Sequence, residues 1–207
     1  MKKTLFIPAI FLMVFLVSCS QPSGQKELES PGNLKTAIEA ELIANAKYWA
    51  YADEAMADSL PKIAAMFRAS AVSEKAHVDR QITMLLAHGG QLGQFTPTFP
   101  PYDLKESLKT AIEVEHYEAM DMYPRFIATS DKENFLDVSE TFTWALKAEI
   151  KHRDLFKLAL ASLDDPSIEL PEAYLVCPRC GNTMDVEHVS DPCDICENDA
   201  SKFIEVK

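Results

Sequence analysis

Two tetrapeptides constrain this 207-residue chain more than any other feature: Glu74-Lys75-Ala76-His77 and Glu149-Ile150-Lys151-His152. Both are Glu-x-x-His, and both sit in stretches of helical periodicity. A spacing of three places glutamate and histidine on one face of a helix. Two further helical stretches offer Glu41, and Glu115 with Glu118, again three apart. One Glu from each of two helices plus Glu-x-x-His from each of two others is the donor set of a di-metal carboxylate site in a helix bundle.

The spacing predicts four helices. The first runs from Asn33 to about Ser59, with Leu34, Ile38, Leu42, Ala46 and Trp49 as its apolar stripe. The second runs from Pro61 to His88, where Gly89-Gly90 stops it. The third starts at Asp103 with a capping-box-like Glu106 and ends near Thr129, with a kink expected at Pro124. The fourth runs from about Asp131 to Ser162. Short turns make helices one and two a hairpin, and three and four another. Between the hairpins lies Gly89 to Tyr102, which extended reaches roughly 46 Å. A helix of this length spans roughly 40 Å, so the segment can cross the bundle from end to end. Two hairpins joined by one long crossover form a ferritin-like four-helix bundle.

Register supports the donor set. In a hairpin, residues equidistant from the turn share a height. Glu41 and Glu74 are centred beside Ser59-Leu60-Pro61, and Glu115 and Glu149 beside Ser130-Asp131-Lys132. Iron and manganese accept carboxylate oxygen and imidazole nitrogen together. Five glutamates against two divalent or two trivalent ions give a site charge of about −1 or +1, tolerable in a buried place. Tyr48 and Tyr123 are either core residues or hydrogen-bond donors to these ligands. His116 reads as surface, and His88 and His188 as non-ligands. Met56, Met66, Met84, Met120 and Met122 read as packing.

The C-terminal part carries a second metal signal. Cys177-Pro178-Arg179-Cys180 and Cys193-Asp194-Ile195-Cys196 are two Cys-x-x-Cys knuckles separated by 12 residues. That pattern predicts a tetrahedral four-thiolate site for iron or zinc, in a module whose stability comes from the metal. Disulfides are the competing outcome.

At the N-terminus, Lys2 and Lys3 precede an apolar run from Leu5 to Val17, too short to span a bilayer comfortably. The run ends Leu16-Val17-Ser18-Cys19, which resembles the lipobox of bacterial lipoproteins. The expected organisation is a lipoprotein signal peptide at 1–18, a tether at 19–32 anchored to the cell envelope by lipid on Cys19, a ferritin-like di-metal domain at 33–165 and, at 171–207, a four-Cys domain whose paired knuckles look rubredoxin-like. The chain carries 20 basic and 32 acidic residues, a net charge of −12, which argues against nucleic acid as a partner.

A bundle with this ligand set followed by a four-Cys tail resembles the rubrerythrin family over about residues 33 to 207. The resemblance is carried by Asn33-Leu34 and Ala37 ahead of Glu41, and Ile63-Ala64-Ala65-Met66-Phe67 ahead of Glu74 and His77. It continues in Glu115, Glu118 and Met122-Tyr123-Pro124, and in Ala148-Glu149 with His152. Glu118 is its most specific element. The resemblance implies two iron ions held by Glu41, Glu74, His77, Glu115, Glu118, Glu149 and His152, and one iron, or zinc, on the four cysteines. It implies a non-haem peroxidase that reduces hydrogen peroxide to water, fed by an unidentified electron donor. It also implies that Glu118 and His77 exchange places as the iron changes oxidation state, and a homodimer in which the tail of one subunit approaches its partner's di-iron site. Departures are Ala40 and Val114 where glycine is usual, and Asp194 and Glu197 where the second knuckle usually has proline and glycine. The competing functions are a ferroxidase or iron-binding protein, and a non-catalytic module with a structural zinc tail.

Overall fold

The computed structural model describes residues 28–101 and 103–207. The expected signal segment, Cys19 and the tether as far as residue 27 lie outside the described residues, as does Tyr102. The chain folds as a ferritin-like helical bundle followed by a small three-stranded sheet. The helices are α1 (Ser30–Ala57), α2 (Pro61–Ala87), α3 (Leu104–Tyr117), α4 (Tyr123–Lys132) and α5 (Leu136–Ser162); a π-helical turn, Glu118–Met122, joins α3 to α4. None of them is long and apolar enough to cross a membrane.

Each boundary has a local cause. Helix α1 begins earlier than its periodicity suggests, so Ser30-Pro31-Gly32 belong to the helix and not to a tether. The Glu133 carboxylate accepts hydrogen bonds from the Glu29 and Ser30 amides at 2.8 and 2.9 Å and from Ser30 Oγ at 2.6 Å. It thus satisfies donors that a helix start leaves open and complements the helix dipole. The Asp103 side chain accepts from the Glu106 amide and caps α3. Helix α4 continues to Lys132, and α5 starts only at Leu136. The turn between them, Glu133-Asn134-Phe135, uses Asn134 at φ +66°, a conformation that asparagine tolerates better than most residues.

Two expectations change. The inward stripe of α1 is Leu34, Ala37, Ile38, Glu41, Ala44, Tyr48, Tyr51 and Ala52, whereas Leu42 and Ala46 are half-buried and Trp49 is 45% exposed. Steps of four advance 400° around a helix, so a stripe read at that step drifts about 40° each time. The true face includes a glutamate. In the third helical stretch, the break is the π turn and not a kink at Pro124 alone. The Tyr123 amide bonds Glu118 O, five residues back, and Pro124 has no N–H for the carbonyl of Met120.

The crossover is as expected. His88, at the end of α2, bonds Asp137 at the start of α5, whereas Lys105 at the start of α3 pairs with Asp164 beyond the end of α5. The chain therefore traverses the bundle between Gly89 and Asp103, passing Tyr51 and Glu54 of α1 with Phe99 and Pro101. Beyond α5, strands β1 (Tyr174–Val176), β2 (Thr183–Asp185) and β3 (Ile204–Val206) form an antiparallel sheet in the order β2-β1-β3. Tyr174, Val176 and Val206 pack into the bundle core with Phe67, Leu104 and Phe156. Met66, Met84 and Met122 are buried as expected, but Met56 and Met120 are exposed.

Replacing Glu133 by Ala leaves the start of α1 without its acceptor. The expected loss is about 1 kcal/mol of stability, read as a lower urea midpoint with an unchanged slope.

Candidate metal centres

The four helices deliver their ligands to one buried point. Glu41, Glu74, Glu115, Glu149 and His152 are fully buried, and His77 and Glu118 are 3% exposed. His77 Nδ1 lies 2.9 Å from Glu74 Oε2, 3.0 Å from Glu149 Oε1 and 3.5 Å from Glu41 Oε1. His152 Nδ1 lies 2.8 Å from Glu149 Oε2, 3.2 Å from Glu74 Oε1 and 3.9 Å from Glu115 Oε2. Two four-residue groupings result, Glu41/Glu74/His77/Glu149 and Glu74/Glu115/Glu149/His152, each with donor atoms within 4.8 Å of one another. Glu74 and Glu149 belong to both, one oxygen toward each histidine. Two ions held there would share Glu74 and Glu149, and Glu41 and Glu115 would each serve one of them.

The donor chemistry fits this reading. Glu41 Oε2, Glu74 Oε1, Glu115 Oε2, both Glu149 oxygens and His152 Nδ1 are buried and make no well-directed hydrogen bond, despite the short contacts to the imidazole rings. Buried polar atoms seldom stay unpaired unless an ion takes their lone pairs. Glu118 lies outside both groupings, with its own Oε2 unpartnered. Around the ligands, Tyr48 OH donates to Glu115 and Tyr123 OH donates to Glu41, and Gln81 Nε2 donates to Tyr123 OH at 2.8 Å. Both tyrosines are therefore donors to ligands. The π turn makes this possible. Five residues of α-helix would rotate Tyr123 about 140° from Glu118, whereas a π turn closes over five and returns it to the same face. His116 is exposed, His88 and His188 pair with Asp137 and Asp185, and none of the three joins the site.

The four cysteines form the second centre. All are buried and free, with Cys177–Cys196 and Cys180–Cys193 sulfurs 3.6 Å apart. Four sulfurs at tetrahedral bond length about one ion stand about 3.8 Å apart. The Cys177 thiol is pulled down to about 5, chiefly because Cys180 donates to it, and burial holds Cys196 up at about 12. Glu197, at φ +60°, occupies the place that Gly181, at φ +78°, fills in the first knuckle. A side chain there costs about 1–2 kcal/mol.

The two centres touch. His77 Nε2–H donates to the Cys180 carbonyl at 3.1 Å. Thr183 Oγ1 donates to Gly181 O, so it accepts from His152 Nε2 at 3.2 Å. The tail thus fixes both histidines with Nδ1 toward the carboxylates. Ser73 Oγ donates to Gly181 O at 2.5 Å, and a Cβ on Gly181 would stand 2.2 Å from His77 Nε2. The resemblance placed this approach between two subunits; here it is made within one chain. Sequence reasoning missed Ser73, Gln81 and Thr183, whose roles depend on which elements meet. Trp144, packed on the cysteines, has the guanidinium groups of Arg80 and Arg179 5.1 and 4.8 Å from its ring centre.

Without metal the site holds protons instead. Burial, with the charges of Glu149 and Glu74, pushes Glu41 up to about 8, and burial with neighbouring carboxylates holds Glu115 and Glu118 well above the usual range. Burial opposes a charge on His152, but Glu74 and Glu149 prevail and raise it to about 9. Burial would raise Glu149 too, yet His77 and His152 hold it at about 2. Groups raised in the fold contribute stability below their unfolded pKa and lose it as pH climbs through the folded value. The metal-free protein is therefore expected to lose stability steadily from about pH 5 to pH 9, as read by thermal melts. Ferrous loading at pH 7 should release protons, as read with an indicator dye in weak buffer.

The rubrerythrin family model matches residues 32–160. The chain is 31% identical over 165 residues to nigerythrin of Nitratidesulfovibrio vulgaris, covering 79% of this chain and 80% of that one. It is 30% identical over 172 residues to rubrerythrin-2 of Clostridium acetobutylicum, covering 82% and 92%. The structure of fully reduced, all-ferrous nigerythrin superposes with a TM-score of 0.75 at 25% identity, covering 95% of this chain and 99% of that one. A di-iron carboxylate site and a four-Cys site of the kind built here are the cofactor sites of these proteins, and the chain belongs to the rubrerythrin family.

Proposed function

We propose that this chain is a di-iron peroxidase that reduces hydrogen peroxide to water with electrons relayed from the four-Cys centre. The observation that carries this reading is the hydrogen bond from His77, a ligand candidate of one centre, to the carbonyl of Cys180, a ligand of the other. Two ferrous ions supply the two electrons that reduction of peroxide to two waters consumes. The chain's own residues do the rest. Glu74 and Glu149, common to both groupings, would hold the two ions as neighbours. Tyr48 and Tyr123 fix the terminal carboxylates. His77 and Glu118, both close to Glu41, fit an exchange of ligands, and this structure has His77 within the grouping and Glu118 outside it. A cavity of about 10 Å³ beside His77, lined by Gln81, Trp144, Arg179 and Cys180, offers a small molecule an approach. That is room for about one water.

The reading extends to placement and assembly. Residues 1–18 act as a lipoprotein signal, and lipid on Cys19 holds the protein at the cell envelope. Two copies exchange tails through residues 163–173, which preserves each contact in a homodimer.

The test is stopped-flow mixing of the iron-loaded, fully reduced protein with stoichiometric peroxide or with oxygen. Peroxide is expected to oxidise both centres, and faster than oxygen does. Faster reaction with oxygen, with many irons taken up per chain, identifies a ferroxidase or iron-binding protein. Zinc retained in the tail after iron loading excludes the relay. Gly181→Ala, which forces the knuckle off His77, is expected to slow oxidation of the four-Cys iron at least tenfold while the bundle keeps its iron.

A further inference from the structure

The two knuckles are related by a local two-fold pattern that reaches two residues beyond each Cys-x-x-Cys. The first reads Cys177-Pro178-Arg179-Cys180-Gly181-Asn182 and the second Cys193-Asp194-Ile195-Cys196-Glu197-Asn198. Their backbones match bond for bond. Gly181 N–H donates to Cys177 O and Cys177 N–H to Asn182 O, both at 2.9 Å. Glu197 N–H donates to Cys193 O and Cys193 N–H to Asn198 O, also at 2.9 Å. The side chains then cross. Asn182 Nδ2 donates to Cys193 Sγ at 3.4 Å, and Asn198 Nδ2 donates to Cys177 Sγ at 3.6 Å. Each asparagine serves the first cysteine of the opposite knuckle.

The two are not held alike. Asn198 is half-buried, whereas Asn182 is fully buried and clamped. Lys151 Nζ donates to Asn182 Oδ1 at 2.7 Å, and Asn182 Nδ2 donates to Asp194 Oδ1 at 2.6 Å as well as to the sulfur. An ammonium only donates and a carboxylate only accepts, so these neighbours fix which end of the amide faces the sulfur. Lys151 also pairs with Asp194 Oδ2 at 2.9 Å. Lys151 lies on α5, next to His152, so the clamp is anchored on the bundle.

We propose that Asn182 and Asn198 are positioning residues that set the reduction potential of the four-Cys centre through crossed N–H···S bonds, and that Lys151 makes the Asn182 half of that setting depend on docking to the bundle. A donor to a thiolate favours the reduced, more negative form of an iron site and so raises its potential. It also lowers the energy of the sulfur lone pairs, which moves sulfur-to-metal charge transfer to shorter wavelength. The inference rests on the cysteines holding a metal and not on peroxide chemistry.

The test uses the full chain with iron, and separately cobalt(II), loaded on the four cysteines. Midpoint potential and charge-transfer bands are compared for Asn182→Leu, Asn198→Leu, the double variant and Lys151→Met. Each asparagine variant is expected to lower the potential and move the band to longer wavelength, with the two shifts adding in the double variant. Lys151→Met is expected to reproduce part of the Asn182→Leu shift, because Asp194 alone then orients the amide. If Asn182→Leu does not retain metal, Asn198→Leu, at the more exposed position, decides the matter. Unchanged potential and bands in the asparagine variants overturn the proposal. Shifts in both with none in Lys151→Met overturn the coupling to the bundle. Peroxide activity enters neither reading.

Discussion

Five glutamate side chains held out of water at one point in a helix bundle govern the rest of this structure. Carboxylates left charged and unpaired in such a place would prevent folding, so positive charge has to be present in every state. Without metal, protons and two imidazoliums provide it; with metal, the ions do. The four helices are therefore less a hydrophobic core with a site added than a frame for this neutralisation. The aromatic cluster of Tyr48, Tyr51, Phe67 and Phe156 excludes water beside it. The tyrosine hydroxyls in turn each donate to one oxygen of a carboxylate, Tyr48 to Glu115 and Tyr123 to Glu41.

The same constraint explains where the tail sits. A histidine that gives Nδ1 to a metal must place its Nε2–H on an acceptor. Here the acceptors are the Cys180 carbonyl and the Thr183 hydroxyl, so the bundle's ligands are completed by the small sheet. The exchange works in both directions, because Lys151, between two ligand residues of α5, reaches into the second knuckle. Each metal centre is finished by groups belonging to the other.

Much of this was legible in the sequence, for reasons that differ from residue to residue. The ligands were legible because a spacing of three and a matched height in a hairpin are one-dimensional facts. The paired knuckles were legible for the same reason. The inward face of α1 was not, because hydrophobicity alone leads from Leu34 towards Trp49, whereas Glu41 and Tyr48 belong to the buried side. The π turn left no periodic signal, since it is a single-residue change of register, and only Pro124 marked the place. Contacts between bundle and tail, such as Ser73 with Gly181 and Asn182 with Lys151, need the docking known before any partner can be named.

The connection between α5 and β1 has a consequence for behaviour on dilution. Residues 163–173 tie the four-Cys module to the surface that it covers, so its encounter with the di-metal site is governed by a local effective concentration and not by how much protein is present. A chain that keeps its own tail docked remains complete at any dilution. Tails exchanged between two chains would make the same contacts, but completeness would then become a property of the pair, lost as the pair separates. The length of one short linker thus decides whether the unit that works is the chain or the couple.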